Sequence, residues 1–415
     1  MPSWHNGLIG DRIQLNAILI VLSFVFVLAL DSQSAASYPT YFLALSMALA
    51  AGRWKDVWSV GYAWCILGLL SYLCLSSFWS EPSSWRDALG VFGRGALVFF
   101  FVVALAESQP RGQVQFWLGR ALTVVGTIAA LAAIVAFVQN PPHDDRLDGL
   151  GQLEHTVVAG LIFGAALILL LDVVIGDPVR GWKLVGILGA LAVGSAVVLS
   201  DSRNALVGAT IGCLVLGFSH AIVDKRRFAS AFAVSAVVAI AIVGSLLTTT
   251  QGVELLFPRG DSFRPDIWSR VLERIVPDHV LFGLGILTPD AVPVGERVFS
   301  HPHNMYLAVF FQGGLLGVLL FITLIGWSFM QLLAEYEQRS AKLALGLLSM
   351  ALTSYLLDGH ELIDKVGETW FLFWLPVGIS LGLAWRRRFQ EQSDPPGGPV
   401  TIGERNTPSA WQESS

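Results

Sequence analysis

Residues 182–223 read WKLVGILGALAVGSAVVLSDSRNALVGATIGCLVLGFSHAIV, which is two long apolar runs separated by a polar hinge at residues 200–204. About 20 consecutive apolar residues cross the hydrocarbon core of a membrane as a helix, because a helix satisfies its own backbone hydrogen bonds there. We therefore predict two membrane-spanning helices, at 182–200 and 204–223, that are joined by this hinge.

The whole chain has the composition of a polytopic, all-α membrane protein. Of its 415 residues, 54% are hydrophobic and only 14% are charged, whereas about a quarter of the residues in soluble proteins are charged. When we search the rest of the chain for apolar stretches of about 20 residues, we find about twelve predicted spans. The second span is short, so it is tilted, re-entrant or extended by its neighbours. The first lacks a convincing cleavage site, which indicates a retained helix rather than a signal peptide. The predicted spans are 13–30, 38–51, 57–79, 89–106, 114–138, 154–175, 182–200, 204–223, 228–248, 304–330, 341–357 and 369–385.

The charges of the connecting loops predict the orientation. Basic loops, such as those at 225–227 and 386–388, alternate with loops that are mostly acidic. Since Lys/Arg-rich loops stay in the cytoplasm, both termini are predicted to be cytoplasmic and the hinge to face outward. The predicted membrane domain covers residues 1–388, and residues 389–415 are predicted to form a disordered cytoplasmic tail. Membrane lipids are expected partners, nucleic acid is not, and the oligomeric state is open.

The outward loops contain arginines for which topology gives no reason. A guanidinium is always charged, and its planar fork fits pairs of phosphate oxygens. These residues therefore favour an anionic ligand, with phosphate or pyrophosphate as the leading candidate. The alternative is pairing with neighbouring carboxylates or lipid headgroups. Arg203 is the sharpest case, because a charge near the hydrocarbon boundary is costly, and Asp201 is its local alternative partner. The outward arginines are Arg86, Arg94, Arg146, Arg203, Arg259, Arg264, Arg270, Arg274 and Arg297.

The long connection at about 250–303 is predicted to lie outward, and connections of this length are usually functional. Within it, residues 263–275 read FRPDIWSRVLERI, with Pro265 in a first turn and apolar residues at helical spacing. We predict an amphipathic helix that lies in the membrane interface. A membrane-tethered anionic substrate would meet its three arginines there, which are Arg264, Arg270 and Arg274.

Two histidines, His301 and His303, lie where the chain returns from the long connection to the next predicted span. His303 opens the next span on the same side as the arginines, and an imidazole can accept a proton from a hydroxyl near neutral pH. Asn304 beside it can orient the imidazole or the substrate. The alternative for a histidine at a helix start is a cap or a surface residue, and this alternative applies more strongly to His301.

An acidic group follows the eleventh span. We interpret it first as a solvated loop; alternatively, it holds a divalent cation or positions a sugar hydroxyl. The sequence has no Walker loop, no zinc-type Cys/His spacing and no nucleophile elbow, so no metal or cofactor is predicted. All three cysteines lie in apolar runs and are predicted to be packing residues. The acidic group is Asp358, Glu361, Asp364 and Glu368, and the cysteines are Cys65, Cys74 and Cys213.

Three motifs follow one another between residues 200 and 317. Each is weak alone, but their order and spacing are fairly specific. They are SRNA at 202–205; an Arg264-x-x-x-Trp268 helix start followed by Pro277 and by FGLG at 282–285; and HNMYL at 303–307 followed by GGLLG at 313–317.

This arrangement resembles the O-antigen ligase/polymerase superfamily of bacterial envelope glycosyltransferases, and within it most resembles the lipopolysaccharide O-antigen ligases. The resemblance implies a GT-C-like membrane fold with a periplasmic active site in the bacterial inner membrane. It implies transfer of an undecaprenyl-pyrophosphate-linked glycan onto lipid A–core, without ATP or metal. An O-antigen polymerase or another lipid-linked glycan transferase is the nearest alternative, and a transporter of polyanionic lipid is a rival.

The resemblance also assigns roles to residues. It implies that Arg203 and Arg264 bind the pyrophosphate and that His303 acts as the catalytic base. The further substrate-binding candidates are Arg270, Arg274, His301 and Asn304.

Overall fold

The computed structural model describes residues 3–30, 33–49, 57–82, 84–109, 113–143, 145–233, 263–276 and 278–393. Most of these residues are helical, and one short β-hairpin lies between the helices. The helices are α1 (Ser3–Ala29), α2 (Gln33–Leu49), α3 (Gly61–Leu75), α4 (Trp85–Ser108), α5 (Gln113–Gln139), α6 (Thr156–Gly176), α7 (Arg180–Leu199), α8 (Arg203–Ala221), α9 (Arg264–Ile275), α10 (Met305–Ala334), α11 (Arg339–Ser354) and α12 (Leu375–Ser393). The antiparallel strands are β1 (Val292–Val294) and β2 (Arg297–Phe299).

Seven stretches of the described chain are long and apolar enough to cross a membrane. They include both runs around the hinge, so the prediction of a polytopic helical membrane protein is confirmed. The seven are Gly61–Phe78, Trp85–Ser108, Trp117–Gln139, Thr156–Gly176, Arg180–Leu199, Arg203–Ala221 and Met305–Ala334.

The predicted number of about twelve spans is not confirmed by the described residues. Ile13–Ala29 is apolar but shorter than the seven. Helices α2, α11 and α12 occupy predicted spans but are not among the seven. The predicted span 228–248 lies largely outside the described residues, as does the predicted tail beyond Ser393. A GT-C-like arrangement therefore stays a prediction.

Helices α8 and α11 pack closely through glycines. A side-chain carbon on Gly212 would lie 2.9 Å from the carbonyl oxygen of Gly346, and one on Gly208 would lie 2.1 Å from Ser354 Oγ. Small residues permit this approach between membrane helices, which attract each other mainly through van der Waals packing. As a result, Arg203 at the start of α8 and Ser354 at the end of α11 lie at the same end of the bundle, which we call the hinge end.

Helix α10 is interrupted at Gly314, where a loop packs against it. Gly314 has φ 59° and ψ −159°, so the helix opens at this residue. Backbone groups freed in this way need partners, because the apolar interior of a membrane offers no water to bind them. The loop that begins at Val280 supplies these partners. The bonds run from Leu284 N–H to Phe311 O (2.7 Å), from Gly285 N–H to Gln312 O (3.0 Å) and from Leu315 N–H to Val280 O (2.8 Å).

The same loop is bound on another side by the segment that follows α3. Ile286 N–H donates to Ser76 Oγ at 3.0 Å, and Leu287 N–H donates to Ser80 Oγ at 3.0 Å. Residues 280–288, which we call the inserted loop, are therefore fixed between α10 and the end of α3. Since α9 ends just before this loop, the loop also fixes α9 against the hinge end.

Replacement of Gly314 tests the inserted loop. An alanine Cβ at this position would lie 2.5 Å from Gly283 N and 2.5 Å from Leu281 O. Gly295 has nearly the same φ, 58° against 59°, but open space around it. With ψ −159°, however, Gly314 lies in a region that is essentially restricted to glycine, so Gly314→Ala adds both backbone strain and a clash. We expect Gly314→Ala to lower the melting temperature in detergent well below that of Gly295→Ala and to speed proteolysis. Equal shifts for the two variants would contradict the close approach.

Candidate functional site

Helix α9 covers Arg264–Ile275, so the amphipathic helix predicted at 263–275 is present. Its apolar face is buried within the protein instead of in the membrane interface. Ile267, Val271 and Ile275 are fully buried in a cluster with Val292 of β1 and Phe311 of α10. The helix is therefore a fixed part of the hinge end, and this packing determines where its first residue lies.

Arg264, the first residue of α9, is bound to the segment that follows α11. Its Nε and Nη2 atoms donate to the carbonyl oxygen of Leu357 at 3.2 and 3.0 Å. Burial lowers the pKa of the guanidinium, Asp358 raises it, and the charge of Arg203 lowers it further. The two arginines that the sequence singled out are therefore close enough to repel each other. Such a pair is stabilised when an anion lies between the two charges.

Arg203 is the first residue of α8, directly after the hinge. The hydroxyl of Ser202 caps this helix by accepting from Ala205 N–H at 3.4 Å. The Arg203 side chain is half-buried, and among the described residues none hydrogen-bonds its guanidinium. A helix N-terminus adds partial positive charge to that of the guanidinium. Arg146 is also at the hinge, where its Nε donates to Ser200 O at 3.2 Å. The arrangement is suited to an anionic group.

His303 forms a dyad with Asp358. The Nδ1 atom of His303 lies 3.1 Å from Asp358 Oδ1, and Gly359 N–H donates to the same oxygen at 2.9 Å. Burial raises the pKa of Asp358, but the hydrogen bond and charge of His303 outweigh it, so the pKa lies below its usual value. An ionised Asp358 favours a proton on Nδ1 of His303. The Nε2 atom then carries the lone pair that a general base needs.

His301 lies against His303. Its Nδ1 atom accepts the backbone N–H of His303 at 3.1 Å, and the two ring centroids are 3.9 Å apart. The ring also stacks on His360 at 4.5 Å. Burial lowers the pKa of His301, and the neighbouring histidines lower it further. A neutral ring in this position is an acceptor that fixes the backbone of His303, which has a left-handed φ of 51°.

The carbonyl groups of the turn that follows α11 bring these residues together. These groups have no helical partners and bind the starts of other helices instead. Asn304 Nδ2 donates to Leu356 O at 3.0 Å, while Asn304 Oδ1 caps α10 by accepting from Leu307 N–H at 3.0 Å. Met305 N–H donates to Tyr355 O at 3.0 Å. Both polar atoms of Asn304 thus have protein partners, and its predicted contact with substrate stays a prediction.

The other two arginines of α9 point elsewhere. Arg270 pairs with Glu273 at 3.1 Å, and both side chains are more than 60% exposed. Arg274 donates to Pro289 O at 2.9 Å and lies 4.6 Å from the ring centroid of Phe311. Among the described residues, neither guanidinium contacts His303 or Arg264. Their predicted roles in substrate binding are not tested by these contacts.

Sequence interpretation does not single out Asp358 from its acidic group, for which a solvated loop is the first expectation. In the structure its side chain is only 15% exposed and is bonded to His303. The position of this residue directly after a span, on the same side as His303, was the available signal. The ligand atoms of His301, His303 and Asp358 lie within 4.8 Å of one another, a spacing at which these residue types can hold a metal ion. No metal was predicted, and an arrangement of this kind also occurs without one.

Comparison with known proteins points to one family. Residues 187–322 match the family model described as O-antigen ligase. The chain is also 29% identical over 329 residues to the "O-antigen ligase" of Pseudomonas aeruginosa, a match that covers 78% of each chain. The matched domain contains Arg203, Arg264 and His303. The resemblance predicted from the motifs is therefore confirmed: residues 187–322 are similar to the O-antigen ligase domain.

The neutral state of His301 predicts a pH dependence of stability. Its pKa in the folded protein is lowered from 6.5, so the unfolded chain binds more protons below that pH. Protonation of the unfolded chain at His301 therefore does not reduce the stability of the folded protein above about pH 6.5, and it reduces that stability progressively as the pH falls below this value. We expect the melting temperature of His301→Asn, which keeps an acceptor at the Nδ1 position, to fall less between pH 7 and 5 than that of the unmodified protein. His143→Asn, at an exposed histidine, is the control. A parallel pH profile for His301→Asn would contradict a neutral His301.

Proposed function

We propose that this chain transfers an undecaprenyl-pyrophosphate-linked O-antigen glycan onto the lipid A–core oligosaccharide, as a lipopolysaccharide O-antigen ligase. The observation that carries the proposal is a histidine–aspartate dyad beside two arginines that repel each other. A base for a hydroxyl and a cation pair for a pyrophosphate are the two groups that this reaction requires. The similarity to an O-antigen ligase supports the same activity.

The two arginines act on the leaving group. As the bond between C1 of the donor sugar and the pyrophosphate oxygen breaks, negative charge accumulates on the pyrophosphate. Arg264 is already fixed by Leu357 O, and Arg203 is held at the start of α8. Preorganised cations stabilise this developing charge more than they stabilise the intact donor, which is the condition for faster reaction.

His303 acts on the acceptor. Its Nε2 atom takes the proton of the acceptor hydroxyl as the hydroxyl oxygen bonds to C1, and Asp358 stabilises the resulting imidazolium. The pyrophosphate leaves from the opposite face of the sugar, so the configuration at C1 is inverted. The charges that develop are met by side chains of this chain, and the proposal needs no metal ion.

The charge pattern supports a periplasmic site in the inner membrane of a bacterium. Arg339 at the start of α11 pairs with Asp172 at 2.9 Å, and Arg387 of α12 donates to Gln331 at 2.9 Å. These residues lie at the helix ends opposite to the hinge end. Because basic residues mark the cytoplasmic side, the hinge end faces the periplasm.

Two other functions make different predictions. An O-antigen polymerase would use the same donor chemistry but a second lipid-linked glycan as acceptor. A transporter of polyanionic lipid would explain the arginines but not the His303–Asp358 dyad.

A deletion strain separates ligase from polymerase: the ligase proposal expects loss of long-chain lipopolysaccharide while undecaprenyl-linked polymer is still made. Loss of the polymer itself would refute it. Joining of donor to acceptor by purified protein in liposomes excludes transport alone.

Lysine at Arg203 or Arg264 keeps the charge but loses the planar fork. We expect each variant to transfer glycan about a hundredfold more slowly, since removal of one preorganised group typically has this effect. Arg86→Lys is the matched control, because Arg86 is an exposed arginine that stacks on Trp85. The measurement is initial transfer rate at equal protein level in liposomes. Near-normal rates for both site variants would rule out the pyrophosphate role.

Asp358→Asn tests the dyad without a change of size. An amide does not favour the required His303 tautomer, so we expect kcat to fall by about a hundredfold or more, with a much smaller change in the donor KM. Glu273→Gln, at an exposed carboxylate of α9 that pairs with Arg270, should keep the normal rate. If the Asp358→Asn variant transfers glycan normally, His303 is not activated in this way.

A further inference from the structure

A second group of polar side chains lies next to the dyad, beyond His360. Gln312 of α10 donates from Nε2 to His360 O at 2.9 Å. The charges of His360, Arg274 and His303 all act on the carboxyl of Asp290, and those of His360, Arg94 and Asp290 act on Glu361. Together with the His301–His360 stack, these effects place Asp290, Glu361 and Arg94 close to His360 and therefore near the dyad, and we call this group the cluster.

Two atoms of this cluster lack partners. Gln312 is only 2% exposed, and its Oε1 atom accepts no hydrogen bond from the described residues. The Nε atom of Arg94 is likewise buried and donates to none of them. Native proteins leave few buried polar atoms unsatisfied, and those that remain indicate an absent partner. Gln312, which binds the carbonyl of His360, thus offers an unpaired acceptor, and Arg94, whose charge acts on Glu361, offers an unpaired donor. A ligand that both donates and accepts would satisfy both atoms.

The carboxyl groups fit the same kind of ligand. Burial raises the pKa of Asp290 and of Glu361. Carboxyls of this kind can donate as well as accept, depending on the proton. Sugar hydroxyls are the common biological groups that do both at once, and side chains of these types are their usual partners.

The position of the cluster decides which sugar it binds. The segment after α11 contacts three groups in order along the chain. Arg264 donates to the carbonyl of Leu357, His303 bonds to the side chain of Asp358, and the cluster begins at His360 and Glu361. The four steps from Leu357 to Glu361 span at most about 14 Å. In an inverting transfer the attacking hydroxyl enters opposite the leaving pyrophosphate. The arginines, which would bind the pyrophosphate, lie at the Leu357 end of this segment, and His303 lies between them and Glu361. The acceptor sugar would therefore lie at the Glu361 end.

We propose that Arg94, Asp290, Gln312 and Glu361 form a subsite for the acceptor sugar, whose hydroxyls pair with the unsatisfied Gln312 Oε1 and Arg94 Nε atoms. The inference rests on the proposed transfer reaction for the identity of the sugar, which is that of the core oligosaccharide. The chemistry of the subsite, a neutral polyol held by carboxyl, amide and guanidinium groups, follows from the cluster itself.

Kinetics in liposomes test the subsite. Gln312→Met keeps the length of the side chain, and Glu361→Gln keeps its size. We expect each to raise the KM for lipid A–core about tenfold, the effect of losing one or two hydrogen bonds, with the donor KM unchanged. Gln331→Met is the matched control, because Gln331 is a buried amide of the same helix that binds Arg387 instead. An unchanged acceptor KM in both variants, or an equal rise in both KM values, overturns the proposal.

A binding measurement separates this inference from the proposed function. Calorimetry with core oligosaccharide freed from its lipid should show binding to the unmodified protein and weakened binding to Gln312→Met and Glu361→Gln. If the unmodified protein binds the core but joins nothing, the proposed function fails and the subsite stands. If the protein joins donor to acceptor but the variants bind the core normally, the subsite fails alone. Binding of calcium or magnesium to the unmodified protein that Glu361→Gln abolishes would assign the cluster to a cation and overturn the subsite.

Discussion

The rest of the hinge end depends on backbone groups that would otherwise be unpaired within a membrane helix. Once α10 opens at Gly314, its freed N–H and C=O groups need partners that lipid cannot supply. The inserted loop provides them, and the same loop binds the end of α3 through Ser76 and Ser80. This pairing turns a long connection into a rigid part of the fold. The buried face of α9 packs on Phe311 of α10 and on Leu284 of this loop, and this packing places Arg264.

A second requirement of the backbone places the candidate site residues relative to one another. The carbonyls at the end of α11 lack helical partners, and they find them in Met305, Asn304 and Arg264. One helix end therefore fixes both the start of α10, with His303 directly before it, and the start of α9. Because α8 packs on α11 through glycines, Arg203 is brought to the same place. Four helix termini thus meet where the segment after α11 begins.

Much of this site was predictable because charge is costly in a membrane protein. Arg203 and Arg264 stand out from the sequence because topology gives no reason for them, and His303 stands out because it opens a span on the same side. The structure brings Arg203 near Arg264 and His303 near Asp358. Periodicity predicted the buried face of α9 but not what covers it, because an apolar stripe is the same against lipid or against Phe311. The His303–Asp358 contact joins residues 55 positions apart, and no local pattern encodes such a pairing. The pairing of the inserted loop with α10 likewise depends on two distant glycine motifs that meet only in the folded chain.

The segment from Leu357 to Glu361 separates two kinds of chemistry. On the Leu357 side lie two guanidiniums and a helix N-terminus, where an anion is stabilised. On the Glu361 side lie carboxyl, amide and guanidinium groups together, a mixed set of hydrogen-bond donors and acceptors that suits a neutral polyol. In the proposed reaction the pyrophosphate would lie on the side of the guanidiniums and the acceptor sugar on the side of Glu361, with the dyad between them. Separate places for the two substrates would favour one direction of binding, which steric fit alone would not ensure for flexible glycans at both positions.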